Sequence, residues 1–415
     1  MLPAPPPNPN RSRLLFALLY LGEGAPIGFI WWALPTWLRV QGLAIDQITA
    51  LTALLVLPWV GKFLWAPLID RIRDTRRGLR GCIVFAQITM GATLLPLTWL
   101  NIADQFELVR LLLICHALAA ATQDVAVDAL ALRIVAPGDR GRLNGGMQAG
   151  MLLGRSVFGG GALVLSAHLD WPVLIGGLIG CIWLSTTAVL LFSKTDLVSV
   201  AKPVQQPRAE FKTLLCRRSL WLGLLFALTA GAAYEVAGVL CGPMLVDQGV
   251  SQENVGWLFG LPVVGATIVG GLAGGFFSDR MGRARMVRIG MIGFATMVLV
   301  LAMLSLRPEA SQLVQMLFFA VLTAMYFCIG LFTAASYALF MGLSRPPMAA
   351  TQFSAFMAAT NGCEAWSSWA GGQMVSEFSY GAAFVLMNVI SLSLLPLVKR
   401  LERLTGEPDP VESTP

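Results

Sequence analysis

Residues 56–71 read "VLPWVGKFLWAPLIDR" and residues 260–280 read "GLPVVGATIVGGLAGGFFSDR". Leu57-Pro58 aligns with Leu261-Pro262, Gly61 with Gly265, and Asp70-Arg71 with Asp279-Arg280. The offset is 204 residues at the first pairs and 209 at the last, so one copy carries a short insertion. Earlier in each copy, Pro35 corresponds to Pro243 and Glu23 roughly to Glu235. Each stretch closes a long apolar run with an Asp-Arg pair, so the chain contains one unit twice, running in the same direction.

Composition says what solvent that unit meets. Of the 415 residues 56% are hydrophobic and only 13% charged, with a mean hydropathy of +0.71. A soluble domain carries about 25% charge. This chain cannot cover itself in water and is expected to be an integral membrane protein. Seven scattered cysteines form neither a CxxC pair nor a Cys/His ligand spacing, so neither a disulfide framework nor a metal site is expected. No phosphate-binding GxxxxGK[ST] loop, nucleophile elbow or HExxH is present. An enzyme reading therefore has no motif to rest on, and no cofactor is implied.

Twelve apolar runs are long enough to cross a hydrocarbon core, which takes about 20 residues. They cover roughly 14–38, 48–69, 82–100, 108–134, 145–165, 173–192, 220–244, 255–277, 289–306, 313–341, 353–375 and 382–398. The first is too long for a signal-peptide core and reads as a retained helix. The expected architecture is all-α, with twelve transmembrane helices in two parallel six-helix repeats and sites near the midplane. The expected divisions are a disordered tail at 1–13, a first bundle at 14–192, a linker at 193–219, a second bundle at 220–398 and a tail at 399–415.

Basic residues crowd alternate connections. Arg71, Arg73, Arg76, Arg77 and Arg80 fill the second, Arg280, Arg283, Arg285 and Arg288 the eighth, and Lys399, Arg400 and Arg403 follow the last. Odd-numbered connections are nearly bare. This positive-inside pattern places both termini in the cytoplasm. It also accounts for the net charge of +6 without a nucleic-acid partner; the expected partners are lipid and a small molecule.

Charged residues inside the runs are the candidate functional groups. If each helix crosses evenly, Glu23, Arg155, Glu235 and Glu364 lie near mid-membrane. Asp124 lies slightly cytoplasmic of it, and Lys62 and Asp128 a turn or two deeper on that side. A charge at the centre of a lipid-facing helix costs about 2.5–3.5 kcal/mol, so most must face protein or a watery cavity. One reading pairs Lys62 with Asp128 and Arg155 with Asp124; the other gives Asp124 and Arg155 to substrate or proton handling. Cations are too few to neutralise Glu23, Glu235 and Glu364, and a carboxyl held out of water can take up a proton. Proton-coupling candidates are therefore Glu23, Asp124, Glu235 and Glu364. Substrate-binding candidates are Arg155, Asp124, Gln123, Glu23, Glu364 and the mid-depth aromatics Tyr326 and Trp366. Trp31, Trp32, Trp37 and Trp99 fall near helix ends and read as an interfacial belt. The glycines of "GMQAGMLLG" and "VFGGGA" read as close-packing surfaces.

"GFFSDRMGRAR", Gly275–Arg285, matches the G-x-x-x-D-R-x-G-R signature of the major facilitator superfamily. Gly275 and Gly282 would allow close helix approach and a tight turn, and Asp279 could pair with arginines or cap a helix. Asp279, Arg280, Gly282 and Arg283, with Asp70 and Arg71 of the first copy and Lys62 and Asp128 nearby, are the gating candidates. "ATQDVAVDA", Ala121–Ala129, resembles one branch of that superfamily, as do "GKFLWAPLIDR" at 61–71, "YLGEGAPIGF" at 20–29 and "TQFSAF" at 351–356. That branch holds AmpG-type muropeptide permeases, acetyl-CoA transporters and RhtX/FptX-type siderophore permeases. The length and N-terminal wording resemble the FptX type most. The resemblance implies a monomeric secondary importer in a bacterial inner membrane. It would carry a ferric siderophore of the pyochelin class by alternating access, coupled to protons. The alternative within the branch is a permease for muropeptide or another small anionic metabolite.

Overall fold

The computed structural model describes residues 9–72, 78–101, 104–134, 140–191, 217–307, 311–344 and 348–406. Every described segment is helical, and a helix stands at each of the twelve expected runs. In chain order they are α1 (9–40), α2 (45–72), α3 (78–98), α4 (Phe106–Ile134), α5 (140–165), α6 (Trp171–Leu191), α7 (218–247), α8 (252–281), α9 (Arg283–Leu304), α10 (Gln312–Leu343), α11 (Ala349–Glu377) and α12 (Tyr380–Ser393). A thirteenth, α13 (Leu395–Gly406), follows. Ten of these spans qualify as membrane-crossing on length and apolarity alone. The two that do not, α5 and α11, are long enough but carry arginines and glycines or a run of amides and hydroxyls.

The helices bend where backbone chemistry requires it. Pro67 has no N–H to give to the turn before it and clashes with the carbonyl four residues earlier. Accordingly α2 breaks into a short 3-10 turn at Lys62–Leu64. Helix α1 contains a π-turn at Phe29–Ala33, α5 one at Ser156–Gly161 and α8 one at Phe259–Val263. Gly282 takes a φ of 91° between α8 and α9, so the expected tight turn is there. Gly275, in contrast, faces open space.

Two compact units form. The first comprises residues 1–43, 54–204 and 251–261; the second comprises 44–53, 205–250 and 262–415. They follow the two halves of the chain except at the openings of α2 and α8. Those two segments stand at repeat-related places, and each belongs to the unit of the other half. The repeat legible in the sequence is thus a repeat in packing as well.

In the first unit Phe16 and Leu19 of α1, Ile83 of α3, Val127 and Leu130 of α4, Met147 of α5 and Val189 of α6 make one apolar cluster. Helices α1 and α5 meet through small residues. A methyl group on Gly150 would strike the backbone of Ala17, on Gly154 that of Leu21 and Ala25, and on Gly24 that of Met151. The expected glycine packing surface is therefore present. Gly150→Leu should drive the two helices apart and lower the melting temperature of the purified protein by several degrees, since overpacking costs about 1–3 kcal/mol. Gly180→Leu, at a position with open space around it, should leave it unchanged. Equal melting of the two variants would contradict this packing.

In the second unit α8 and α10 approach through Gly270, Gly274 and Gly330. Phe294, Phe332 and Tyr234 share edge-to-face ring contacts, and Phe226 packs tilted against Phe332. Two buried polar bonds tie this unit together: the Ala233 amide donates to Ser391 Oγ at 2.9 Å, and Asn388 Nδ2 donates to the Ala295 carbonyl at 3.1 Å.

Several expectations change. The first helix begins at Pro9, inside the segment expected to be a disordered tail; residues 1–8 lie outside the described residues. So do 192–216, which hold nearly all of the expected linker. Residues 399–406, expected as tail, continue the amphipathic helix α13, with Val398 and Leu401 fully buried and Lys399, Arg400 and Arg403 exposed. Trp31, Trp32 and Trp37 do not form a belt. Trp31 packs edge-on to Trp59, Trp32 stacks on Phe259, and Trp37 lies 4.1 Å from the ring of Trp171. Trp99 is exposed, as expected.

Candidate functional site

Helical spacing puts Asp124 and Asp128 of α4 on one face, one turn apart, and Gln123, Val127 and Leu130 on the next. The second face goes to the apolar cluster. The first turns toward α1 and α2, and there the carboxylates find their partners. Lys62 Nζ lies 2.5 Å from Asp124 Oδ2. Tyr20 donates its hydroxyl to Asp128 Oδ1 at 2.7 Å. The break in α2 sets Lys62 at the end of a regular helix, from which its side chain reaches α4.

Glu23, one turn beyond Tyr20 on α1, completes the group. It is 3% exposed, against 7% for Asp124. Glu23 and Asp124 come within hydrogen-bonding reach, with Asp128 and Lys62 in electrostatic range. An ionised carboxylate only accepts hydrogen bonds, so two carboxyls bond to each other only when one holds a proton. Glu23 Oε2 has no partner. The site thus gathers three carboxyls, one ammonium and one phenol in a largely buried space. It can hold a proton between carboxyls and can exchange lysine, proton or a ligand cation at Asp124.

The expected pairings are corrected by one turn: Lys62 is with Asp124, and Asp128 is with Tyr20. Arg155 forms no ion pair with Asp124. It ends the regular part of α5, where its backbone packs on Gly28 of α1, and its buried Nε has no partner. Gln123 is fully buried with neither end of its amide hydrogen bonded. Sequence reasoning missed Tyr20, although its spacing of three from Glu23 in "YLGEG" places both on one face of α1.

The second unit has its own polar group. Tyr234 of α7 lies in electrostatic range of Glu235, Cys363 and Tyr337, and Cys363 in range of Glu235 and Glu364. Trp366 donates its indole N–H to the Leu228 carbonyl at 2.8 Å. Tyr326 is buried near Gly238. Glu23 and Glu235, aligned through the repeat, therefore each stand in a polar group within their own unit, Glu23 buried and Glu235 half-buried.

The gating candidates divide. Asp279 and Arg280 are exposed at the end of α8, with the Arg280 guanidinium 3.9 Å above the Phe276 ring. Arg71 is exposed on α2. The side chain of Asp70 lies outside the described residues. Lys62 and Asp128, the remaining gating candidates, stand in the group around Asp124.

Comparison with known proteins bears on the whole chain. The family model described as Major Facilitator Superfamily matches residues 14–240 and 227–415. An anhydromuropeptide permease of Escherichia coli is 28% identical over 361 residues, 83% of this chain and 70% of that protein. An uncharacterized protein of Haemophilus influenzae is 26% identical over 369 residues, 84% of each chain. A putative transporter AmpG 4 of Rickettsia conorii is 22% identical over 92% of this chain and 94% of its own. Among solved structures, a nucleoside transporter and a D-xylose–proton symporter each superpose with a TM-score of 0.75 at 12% identity. They cover 94% and 95% of this chain and 99% and 98% of their own. At that identity they speak for the fold alone.

Proposed function

The chain belongs to the Major Facilitator Superfamily and is a multi-pass membrane transporter; on that footing we propose that it imports an anhydromuropeptide-type substrate across a bacterial inner membrane. The observation that carries the reading is the match to the Escherichia coli permease over most of both chains. The relatives reported above that carry a functional name are AmpG-type, so they favour the muropeptide alternative over the ferric siderophore. A muropeptide joins sugar to peptide and carries both carboxylates and amines. Arg155, with a free Nε, is the assigned partner of its carboxylates. Lys62, released from Asp124, is the second.

We assign the coupling proton to Glu23 and Asp124. Lys62 sits against the same carboxyl, and an ammonium there opposes a metal cation but not a proton shared between carboxyls. Import by alternating access then requires that Lys62 leave Asp124 in one state and return in the other. The positive-inside pattern orients both termini to the cytoplasm. Cysteines placed at Asn101 and Ser251 should accordingly be labelled from outside, and labelling only from inside would reverse the topology.

A binding panel tests the substrate. An anhydro-disaccharide tripeptide should raise the melting temperature of the purified protein saturably. Ferric pyochelin and the free tripeptide should do so at least about tenfold less well, a gap of 1.4 kcal/mol. Stabilisation by ferric pyochelin alone would restore the siderophore reading.

A further inference from the structure

The polar group of the first unit is delivered by two helices. Tyr20 and Glu23 come from α1, Asp124 and Asp128 from α4. Away from that group, both helices are tied to α3 by buried polar contacts. His116 lies about two turns before Asp124 on α4. It is fully buried, and its Nδ1 stands 3.0 Å from the Met90 carbonyl of α3. A carbonyl only accepts, so Nδ1 carries the proton. One turn earlier on α3, the fully buried Gln87 donates its Nε2 to Ser185 Oγ of α6 at 2.7 Å. Ser185 in turn donates to the Ile182 carbonyl at 2.7 Å. That hydroxyl, fixed from both sides, lies against Gly22 of α1, where a methyl group would strike it. Gly22 directly precedes Glu23. The contacts thus run from α4 through His116 to α3, and from α3 through Gln87 and Ser185 to α1.

These side chains are costly where they stand. His116 Nε2 and Gln87 Oε1 are buried with no hydrogen-bond partner, and an unpaired polar atom out of water destabilises the fold. A leucine at either place would leave none. What the polar residues add is direction. Apolar burial is non-directional, whereas a hydrogen bond weakens steeply as its angle opens. A bond to the Met90 carbonyl and another to Ser185 therefore fix the level and rotation of neighbouring helices that leucines would let slide.

With the coupling proton assigned to Glu23 and Asp124, and resting on that assignment, we propose that His116, Gln87 and Ser185 are positioning residues for this carboxyl pair. They hold α1 and α4 against the common support of α3, so that Glu23 and Asp124 stay within hydrogen-bonding reach. They act through Gly22 and the backbone of α4 rather than by touching the proton.

Infrared spectroscopy of the purified full-length protein tests this without any transport substrate. A protonated carboxyl has a carbonyl-stretch band that moves to higher frequency as its hydrogen bond weakens. The band abolished by Glu23→Gln reports the shared proton. Ser185→Ala and Gln87→Met should each shift that band upward, and the double variant should shift it no further, since the two side chains make one bond. His116→Leu should shift it as well, while His116→Asn, whose amide can donate in place of Nδ1, should leave it near the wild-type position. Thr187→Ala removes an exposed hydroxyl from the same helix and should leave it unmoved. The melting temperature of each sample shows that the variant is folded, and a loss of stability alone does not displace the band. If Glu23→Gln abolishes no band, the proton assignment fails and the positioning role with it. If the band is present and stays in place in Ser185→Ala, Gln87→Met and His116→Leu, the positioning proposal alone is overturned.

Discussion

Lys62→Gln should abolish uptake and lower the yield of folded protein. It leaves Glu23, Asp124 and Asp128 together without their ammonium. Removing one partner of a buried pair costs about 3–5 kcal/mol, because the remaining charge stays desolvated. The loss here falls toward the lower end, since the Lys62 side chain is 28% exposed. Asp124→Asn should be equally inactive but better folded, because it removes a carboxylate from a group with an excess of them. The double variant Lys62→Gln/Asp124→Asn should recover much of the folding lost by Lys62→Gln and none of the transport. Yield is read by size-exclusion chromatography and transport by uptake into vesicles. Wild-type uptake in Lys62→Gln would remove the pair from the mechanism, and recovery of uptake in the double variant would reduce it to a structural tie.

Glu23→Gln separates coupling from translocation. Glutamine keeps the shape of the side chain and its hydrogen bonding toward Asp124 but cannot release a proton. Accumulation driven by a proton gradient should fall by at least an order of magnitude. Exchange of labelled for unlabelled substrate across the membrane, which needs no net proton movement, should persist within a few-fold of wild type. If the gradient still drives accumulation in Glu23→Gln, the proton is carried elsewhere, and Glu235 is the residue to replace next. Loss of exchange together with accumulation would instead make Glu23 a substrate contact.

The fold was legible because it is written in large features. Helix count follows from apolar run length, and the repeat from two matching stretches that end in Asp-Arg. Side-chain pairing was less legible, since counting along a helix gives depth but not rotation. Asp124 and Asp128 lie on the same face, one turn apart. Only the packing decides between them: Lys62, at the end of the regular part of α2, reaches Asp124, and Asp128 goes to Tyr20. Tyr20 went unnoticed because a tyrosine among leucines carries no sign of a carboxylate across the helix interface. Trp31, Trp32 and Trp37 of α1 and Trp99 after α3 look alike by composition whether they face lipid or protein, and only packing shows that the three of α1 turn inward. Helix α13 was passed over because a search for apolar runs rejects it. Its signal is a different one: Val398, Leu401 and Thr405 at three- and four-residue spacing, with Lys399, Arg400 and Arg403 opposite.

The most direct test is uptake of a labelled anhydro-disaccharide tripeptide by proteoliposomes holding the purified full-length chain, with an imposed inward proton gradient. The expected result is accumulation above the external concentration, collapse of that accumulation when a protonophore is added, and no response to sodium. Accumulation of ferric pyochelin with exclusion of the muropeptide would contradict it, and so would muropeptide uptake that follows sodium rather than protons.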